Sequence, residues 1–221
     1  VTETADFAEI LHEGLKELSF PVDNRIISQF ETYKRELVEW NRRIDITSIA
    51  TDEDMAIKHF IDSLLPSVFI KNGAFVMDIG SGGGFPGIPL KIYKPDLRMI
   101  LLEASEKKVV FLKHIIRILG LKNITPINQR AEDKGFRTVM KETVDVVLSR
   151  AFSRFKDFFD IARHYVRPGG MVIGMLGREW ERAIQEADSL IKTYGFEVKI
   201  TRHFELPRQK GQRTIIGVVR K

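Results

Sequence analysis

The sequence predicts an α/β protein, a mainly parallel sheet with helices on both faces, preceded by an all-helical N-terminal part. Two observations predict it. From residue 74 onward, short apolar runs alternate with segments of helical periodicity, the signature of parallel strands joined by crossover helices. The first of those runs, Ala74 to Ile79, passes directly into Gly80-Ser81-Gly82-Gly83-Gly84 and then into a helix opening at Pro86. Strand, glycine turn and helix start are the parts of a nucleotide-binding βα unit.

The N-terminal part comes first in the chain. Phe7, Ile10, Leu11, Leu15 and Leu18 recur at helical spacing until Pro21. Val22, Ile26, Phe30, Tyr33, Leu37 and Trp40 then form one apolar stripe of a second amphipathic helix. Thr51 ahead of Asp52, Glu53 and Asp54 reads as an N-cap with acidic residues at the positive end of a third helix, expected to stop before Pro66. Residues 1–70 are thus expected to be a helical cap on a main domain of residues 71–221.

In that domain the apolar runs predict strands at 74–79, 98–103, 123–128, 144–149, 170–176, 196–204 and 213–219, with helices near 86–93, 105–119, 154–166 and 178–194. Gly120 and Gly195 fall where helix C-caps are expected. Pro126 cannot donate to a ladder, so the third strand is expected at an edge. The last two strands have no helix between them and are expected to pair antiparallel.

The glycine turn is the candidate binding site. Gly80, Gly82 and Gly84 allow positive φ and a close approach of backbone to ligand. Asp78 lies at the end of the first strand, and Glu103 ends the next apolar run, 23 residues beyond Gly80. An acidic residue at that distance binds ribose hydroxyls. Asp78 would repel a pyrophosphate and attract an ammonium group. A ligand with a ribose, an ammonium and no phosphate suits both, and S-adenosylmethionine is such a ligand. A P-loop is excluded, because no Gly-Lys-Ser/Thr follows the glycines.

Composition narrows the classes. The chain has 221 residues, 43% hydrophobic and 29% charged, which is the balance of a soluble globular protein. No apolar run reaches the roughly 18 residues of a membrane helix, and no signal-peptide pattern is seen; a cytoplasmic location and a monomer are expected. With no cysteine, thiolate zinc sites and cysteine nucleophiles are excluded, and the histidines show no metal-ligand spacing. Net charge is +5, and residues 201–221 carry six basic side chains against Glu205 alone. Such a patch, with Arg208, Lys210 and Arg213 close together, suggests a polyanionic partner, the other reading being a solvated, charged C-terminus.

Beyond the glycine turn, a longer set of residues carries a resemblance. Trp40-Asn41 with Asp45-Ile46-Thr47, His59-Phe60-Ile61-Asp62-Ser63-Leu64, Asp78 through Pro89, Glu103 with Lys107-Lys108 and Phe111-Leu112, Ala131-Glu132, Ser149-Arg150-Ala151 and Pro168-Gly169-Gly170 stand in this order over residues 40–170. In these the sequence resembles class I S-adenosylmethionine-dependent methyltransferases, and among them the bacterial 16S ribosomal RNA guanine-N7 methyltransferases. Asp45 departs from that pattern, which has asparagine there. The resemblance implies a Rossmann-like seven-stranded sheet with an antiparallel last strand, and a small-subunit RNA or 30S particle as partner. It also implies a cofactor site built from Asp78, Gly80, Gly82, Gly84, Phe85, Glu103, Ala104, Ser105, Ala131, Glu132 and Arg150, the last also near the transfer centre, where it positions the reacting groups.

Missing motifs agree. Cytosine C5 methylation needs a cysteine nucleophile, and amine methylation usually brings an Asn/Asp-Pro-Pro-aromatic turn where this chain has Ser149-Arg150-Ala151-Phe152. Guanine N7 has a free lone pair and needs alignment more than a base. A methyltransferase for a small molecule or protein, and a non-catalytic nucleotide-binding module, are the competing readings.

Overall fold

A computed structural model of the chain describes residues 6–21, 23–48, 51–150, 152 and 154–221. Val22 and Ala151 lie outside the described residues. Seven strands form one sheet in the order β3-β2-β1-β4-β5-β7-β6. They are β1 (Phe75–Ile79), β2 (Arg98–Glu103), β3 (Ile124–Asn128), β4 (Val144–Ser149), β5 (Val166–Leu176), β6 (Phe196–Glu205) and β7 (Gln212–Arg220). Strands β1 to β5 are parallel, and β7 runs antiparallel to both β5 and β6. Strand β3 is at one edge with Pro126 opposite Leu101, so its missing donor disturbs one ladder only. The direction of strand addition reverses between β1 and β4, and the crevice at their carboxyl ends is where open α/β sheets bind ligands.

The N-terminal helices α1 (Phe7–Glu17) and α2 (Asn24–Asn41) begin at side-chain caps, Asp6 on its neighbour's amide and Asp23 on the Ile26 amide. The third helix is more complicated than the sequence suggested. It starts as α3 (Asp52–Asp54), widens to a π-helical stretch (Met55–Ile61), returns as α4 (Asp62–Leu64) and ends in a 3-10 turn (Leu65–Phe69). It therefore continues through Pro66, which sits in the first turn of the 3-10 segment, where its absent N–H is not needed.

The remaining helices are α5 (Gly87–Tyr93), α6 (Glu106–Ile118), α7 (Lys134–Val139), α8 (Phe155–Ala162) and α9 (Trp180–Thr193). Gly120 and Gly195 follow α6 and α9 with φ of 62° and 73°, the left-handed cap conformation. Two expectations need correction. The short α7 has no apolar stripe to announce it. Helix α8 stops at Ala162, and β5 already starts at Val166: Val166 pairs with Val144, then the register jumps to Met171 opposite Val146. The intervening Pro168-Gly169-Gly170 bulges out, which is why only 170–176 read as a strand.

Two apolar layers cover the sheet. One packs α1, α2 and the π-helical stretch onto α5, α6 and the sheet, through Phe7, Phe30, Tyr33, Phe60, Phe85 and Phe111. The other packs α8 and α9 onto the opposite face through Phe155, Phe159, Ala187 and Ile191.

Candidate active site

The turn after β1 separates its glycines by use. Gly80 and Gly82 have φ of 72° and 56°, and a Cβ on Gly80 would meet nothing within 4 Å, while one on Gly82 would meet only the Gly80 carbonyl oxygen, at 3.9 Å. These two present open backbone. Gly84, expected to do the same, serves packing: its φ is 93°, and a Cβ there would come within 2.5 Å of the Tyr33 hydroxyl and 2.6 Å of Ile88. Gly87 is equally tight, 2.4 Å from Leu101 and 2.8 Å from the Asp78 carboxylate.

Asp78 is fully buried under this turn. Its Oδ2 accepts the Gly87 amide at 2.9 Å, whereas Oδ1 has no hydrogen-bond partner among the described residues. Burial pushes its carboxyl up to about 7, against the opposing pull of the Gly87 amide and the Arg150 guanidinium. Glu103, at the end of β2, is held by the loops it serves. Its Oε2 accepts the Gly82 amide at 2.8 Å and its Oε1 the Ser105 amide at 2.7 Å. Each oxygen keeps a lone pair, so an oriented carboxylate faces the turn. Asn128 on β3 locks the same corner by donating to the carbonyls of Glu103 and Ala104 at 3.1 and 2.9 Å. Ser105 caps α6. Ala131 is buried, with its carbonyl accepting from the Tyr165 hydroxyl at 2.6 Å and Arg137 at 3.1 Å. Glu132 beside it is exposed.

Phe85 is buried. Its ring stacks between Tyr33 (5.1 Å between centroids, 4° between planes) and His59 (4.4 Å, 14°). The Arg150 guanidinium lies 5.2 Å from the same ring. Arg150, just past β4, is gripped by the π-helical stretch: it donates to the Lys58 carbonyl at 2.8 Å and to His59 Nδ1 at 2.9 Å, with Asp62 at 3.9 Å. Because Nδ1 accepts from a guanidinium, the proton of a neutral His59 belongs on Nε2, 2.8 Å from the Thr47 hydroxyl. Burial, helped by Arg150, lowers the His59 pKa to about 3, so the ring stays neutral. Asp62, also fully buried, receives Arg213 through a two-pronged pair at 2.8 and 2.9 Å.

The three cations that the sequence reading assigns to RNA, Arg208, Lys210 and Arg213, all stand in ion pairs. Arg208 pairs with Glu13 and Glu53, Lys210 with Glu53 and Asp54, and Arg213 with Asp62. The three hold the N-terminal helices to the β6–β7 connection. Sequence reasoning also leaves the role of His59 open and misses Tyr33, Asp62 and Asn128 as parts of this constellation. A groove of about 640 Å³ between α1 and α2, lined by Phe7, Lys34 and Arg42 among others, lies apart from the glycine turn.

The donor set fits S-adenosylmethionine: open glycine backbone, an oriented carboxylate at Glu103, and a buried carboxylate oxygen on Asp78 lacking a partner. Comparison with known proteins decides the family. A family model described as rRNA small subunit methyltransferase G matches residues 26–215. The chain belongs to this family. It is 37% identical over 210 residues to the ribosomal RNA small subunit methyltransferase G of Staphylococcus epidermidis, covering 94% of this chain and 87% of that protein. With that of Alkaliphilus metalliredigens it shares 35% identity over 200 residues, covering 90% and 84%. Among solved structures, M. jannaschii TYW2 in complex with AdoMet aligns with a TM-score of 0.57 at 19% identity, covering 72% of this chain and 74% of that one. A SAM-dependent methyltransferase from Aquifex aeolicus aligns at 0.55 and 18%, covering 75% and 92%. Both share the methyltransferase fold. This member is thus an S-adenosylmethionine-dependent methyltransferase of small-subunit ribosomal RNA.

Proposed function

We propose that this enzyme methylates N7 of a guanine in small-subunit ribosomal RNA, acting in the cytoplasm as a monomer. The observation that carries the choice of N7 is the state of the ionisable groups around the turn. His59 is neutral with both ring nitrogens engaged, Arg150 is a cation, Asp78 is buried with its Oδ2 on the Gly87 amide, and both Glu103 oxygens hold backbone amides. None is placed to remove a proton from a nucleophile, and guanine N7 has none to remove. When bound, S-adenosylmethionine supplies an electrophilic methyl group on a sulfonium.

The protein's own contribution is alignment. Glu103 would hold the ribose hydroxyls, the open backbone at Gly80 and Gly82 would let the cofactor approach the turn, and Asp78 would attract its ammonium group. Arg150 positions the acceptor nucleotide. A cation beside a ring that gains positive charge would oppose transfer, so its work is to hold a guanine oxygen or a phosphate. The test is to treat ribosomal RNA lacking the modification, both free and in small-subunit particles, with enzyme and cofactor, and to map the product by mass spectrometry. A single methyl on guanine N7 is expected; a methyl on guanine N1, an exocyclic amine or a ribose overturns the reading.

A further inference from the structure

With Arg208, Lys210 and Arg213 tied to carboxylates, exposed cations without an ion pair are found on another face. Helix α6 leaves the cofactor corner, its cap Ser105 two residues beyond Glu103. Its inner face, Val109, Phe111, Leu112 and Ile115, is buried. Residues 107, 110, 113 and 117 are three and four apart and so share the outer face. Lys107, Lys113 and Arg117 are exposed there and have no ion pair among the described residues; the neighbouring carboxylates are the exposed Glu106 and Glu36, which meets His114 at 2.7 Å.

Helix α2 lies antiparallel along α6. Near its start, Gln29 donates to the Leu119 carbonyl at 3.3 Å, and near its end the Trp40 ring lies 5.1 Å from His114 and 5.6 Å from Phe111. The end of α2 thus adjoins the cofactor-side half of α6. It adds Arg42 and Arg43, 72% and 75% exposed, which share one carboxylate, Glu39.

We propose that this outer face of α6, continued by the end of α2, is where the sugar-phosphate backbone of the substrate RNA lies. The proposal rests on ribosomal RNA being the substrate. Lys107 and Arg117 are ten residues apart, about 15 Å along a helix, enough to follow several successive phosphates. The stripe begins beside the corner where the ribose of the cofactor is held, so a strand laid along it arrives at the transfer site. Exposed cations that neutralise phosphates release the counterions that drive such binding.

The test compares the wild-type enzyme with K107Q/K113Q/R117Q, using unmodified small-subunit ribosomal RNA transcribed in vitro as the probe. The variant is expected to keep the wild-type melting temperature and cofactor affinity. Its RNA affinity should fall at least tenfold at low salt. The slope of log affinity against log salt should flatten by about 0.7–0.9 for each phosphate that the variant no longer neutralises. An unchanged slope in the variant, with the wild type still methylating the RNA, overturns the proposal and leaves the substrate reading intact. A wild type that neither binds nor methylates the RNA overturns both. Loss of binding to anionic lipid vesicles with the RNA slope unchanged assigns the face to a membrane surface instead and also overturns it.

Discussion

At the scale of single residues, the site is built from groups whose charge state is set by burial. Asp78 is the clearest case. Its carboxyl is raised to about 7 in the unliganded protein, mainly by burial, with Gly87 and Arg150 opposing. The folded chain therefore holds a proton there that the unfolded chain has released above about pH 4. The contribution of Asp78 to stability is fully present below that pH and is lost as pH rises through 7. A cofactor ammonium facing this carboxylate lowers its pKa again, so binding below pH 7 should release a proton. Cofactor affinity should rise up to about pH 7 and then level, and calorimetry in buffers of different ionisation heat should detect the proton; Asp78→Asn should remove both effects. A pH-independent affinity in the wild type would show that the ammonium does not face Asp78. Arg150 gives a second prediction. Its fork spans the Lys58 carbonyl and His59 Nδ1, two acceptors that a lysine ammonium cannot reach in the same plane. Arg150→Lys should stay folded with cofactor affinity held, while single-turnover methylation falls at least tenfold. His59→Leu should lose similar activity, and His59→Asn, which keeps an acceptor near the Nδ1 position, should recover part of it. Equal rates for the two His59 variants would mean that the ring matters for packing alone.

At the scale of elements, the C-terminal hairpin and the third helix are held together by ion pairs of unequal weight. Arg208 and Lys210 meet Glu13, Glu53 and Asp54 at the surface, where water and salt weaken such pairs. Arg213 meets the fully buried Asp62. Removing one partner of a buried pair typically costs about 3–5 kcal/mol. Arg150, at 3.9 Å, still neutralises Asp62 in part, so Arg213→Met should cost about 3 kcal/mol, a fall in melting temperature of roughly 6–12 °C for a chain of this size. Arg208→Ala should shift it far less. Equal shifts would place the Arg213 pair effectively in solvent. These pairs also mark the limit of what the sequence disclosed. Helices were legible from apolar residues recurring every three to four positions and strands from short, continuous apolar runs, and Asp78, Gly80 and Glu103 stood out because they lie at or just past strand ends. The partners of the hairpin were not legible: Arg208 and Glu13 are 195 positions apart, and no local period encodes such a pair. The π-helical stretch was hidden for a related reason, since its extra residue per turn leaves the apolar spacing of Ala56, Ile57, Phe60 and Ile61 still helix-like. That stretch is what turns the backbone of Lys58 and His59 toward Arg150, so the sequence could name Arg150 without showing what holds it.

At the scale of the whole molecule, the question is whether the N-terminal helices fold with the sheet or apart from it. The packing argues for one unit. The ring of Phe60 contacts Phe7, Phe30 and Tyr33 of the N-terminal helices and also Phe85 of the glycine turn, at centroid distances of 5.0–5.4 Å. Edge-to-face and stacked ring pairs of this kind add about 0.5–1.5 kcal/mol each beyond area burial. The Tyr33 hydroxyl donates to the Gly83 carbonyl, so α2 also helps to set the binding turn. The sequence supplies a direct test, because it has two tryptophans. Trp40 reports on α2 against α6, and Trp180 reports on α9, where it lies 5.1 Å from His203 on the other side of the sheet. Trp40→Phe and Trp180→Phe leave one reporter each. Each melt should agree with the far-ultraviolet signal of the same variant, since a shared core unfolds in one cooperative step. Saturating cofactor should then move both transitions together. At a hundred times its dissociation constant it adds about 2.7 kcal/mol, or roughly 5–11 °C at this chain length. If Trp40 instead melts ahead of the far-ultraviolet signal and does not respond to cofactor, the helices are an independent cap, and the grip of His59 and Tyr33 on the binding turn is too weak to couple the two parts.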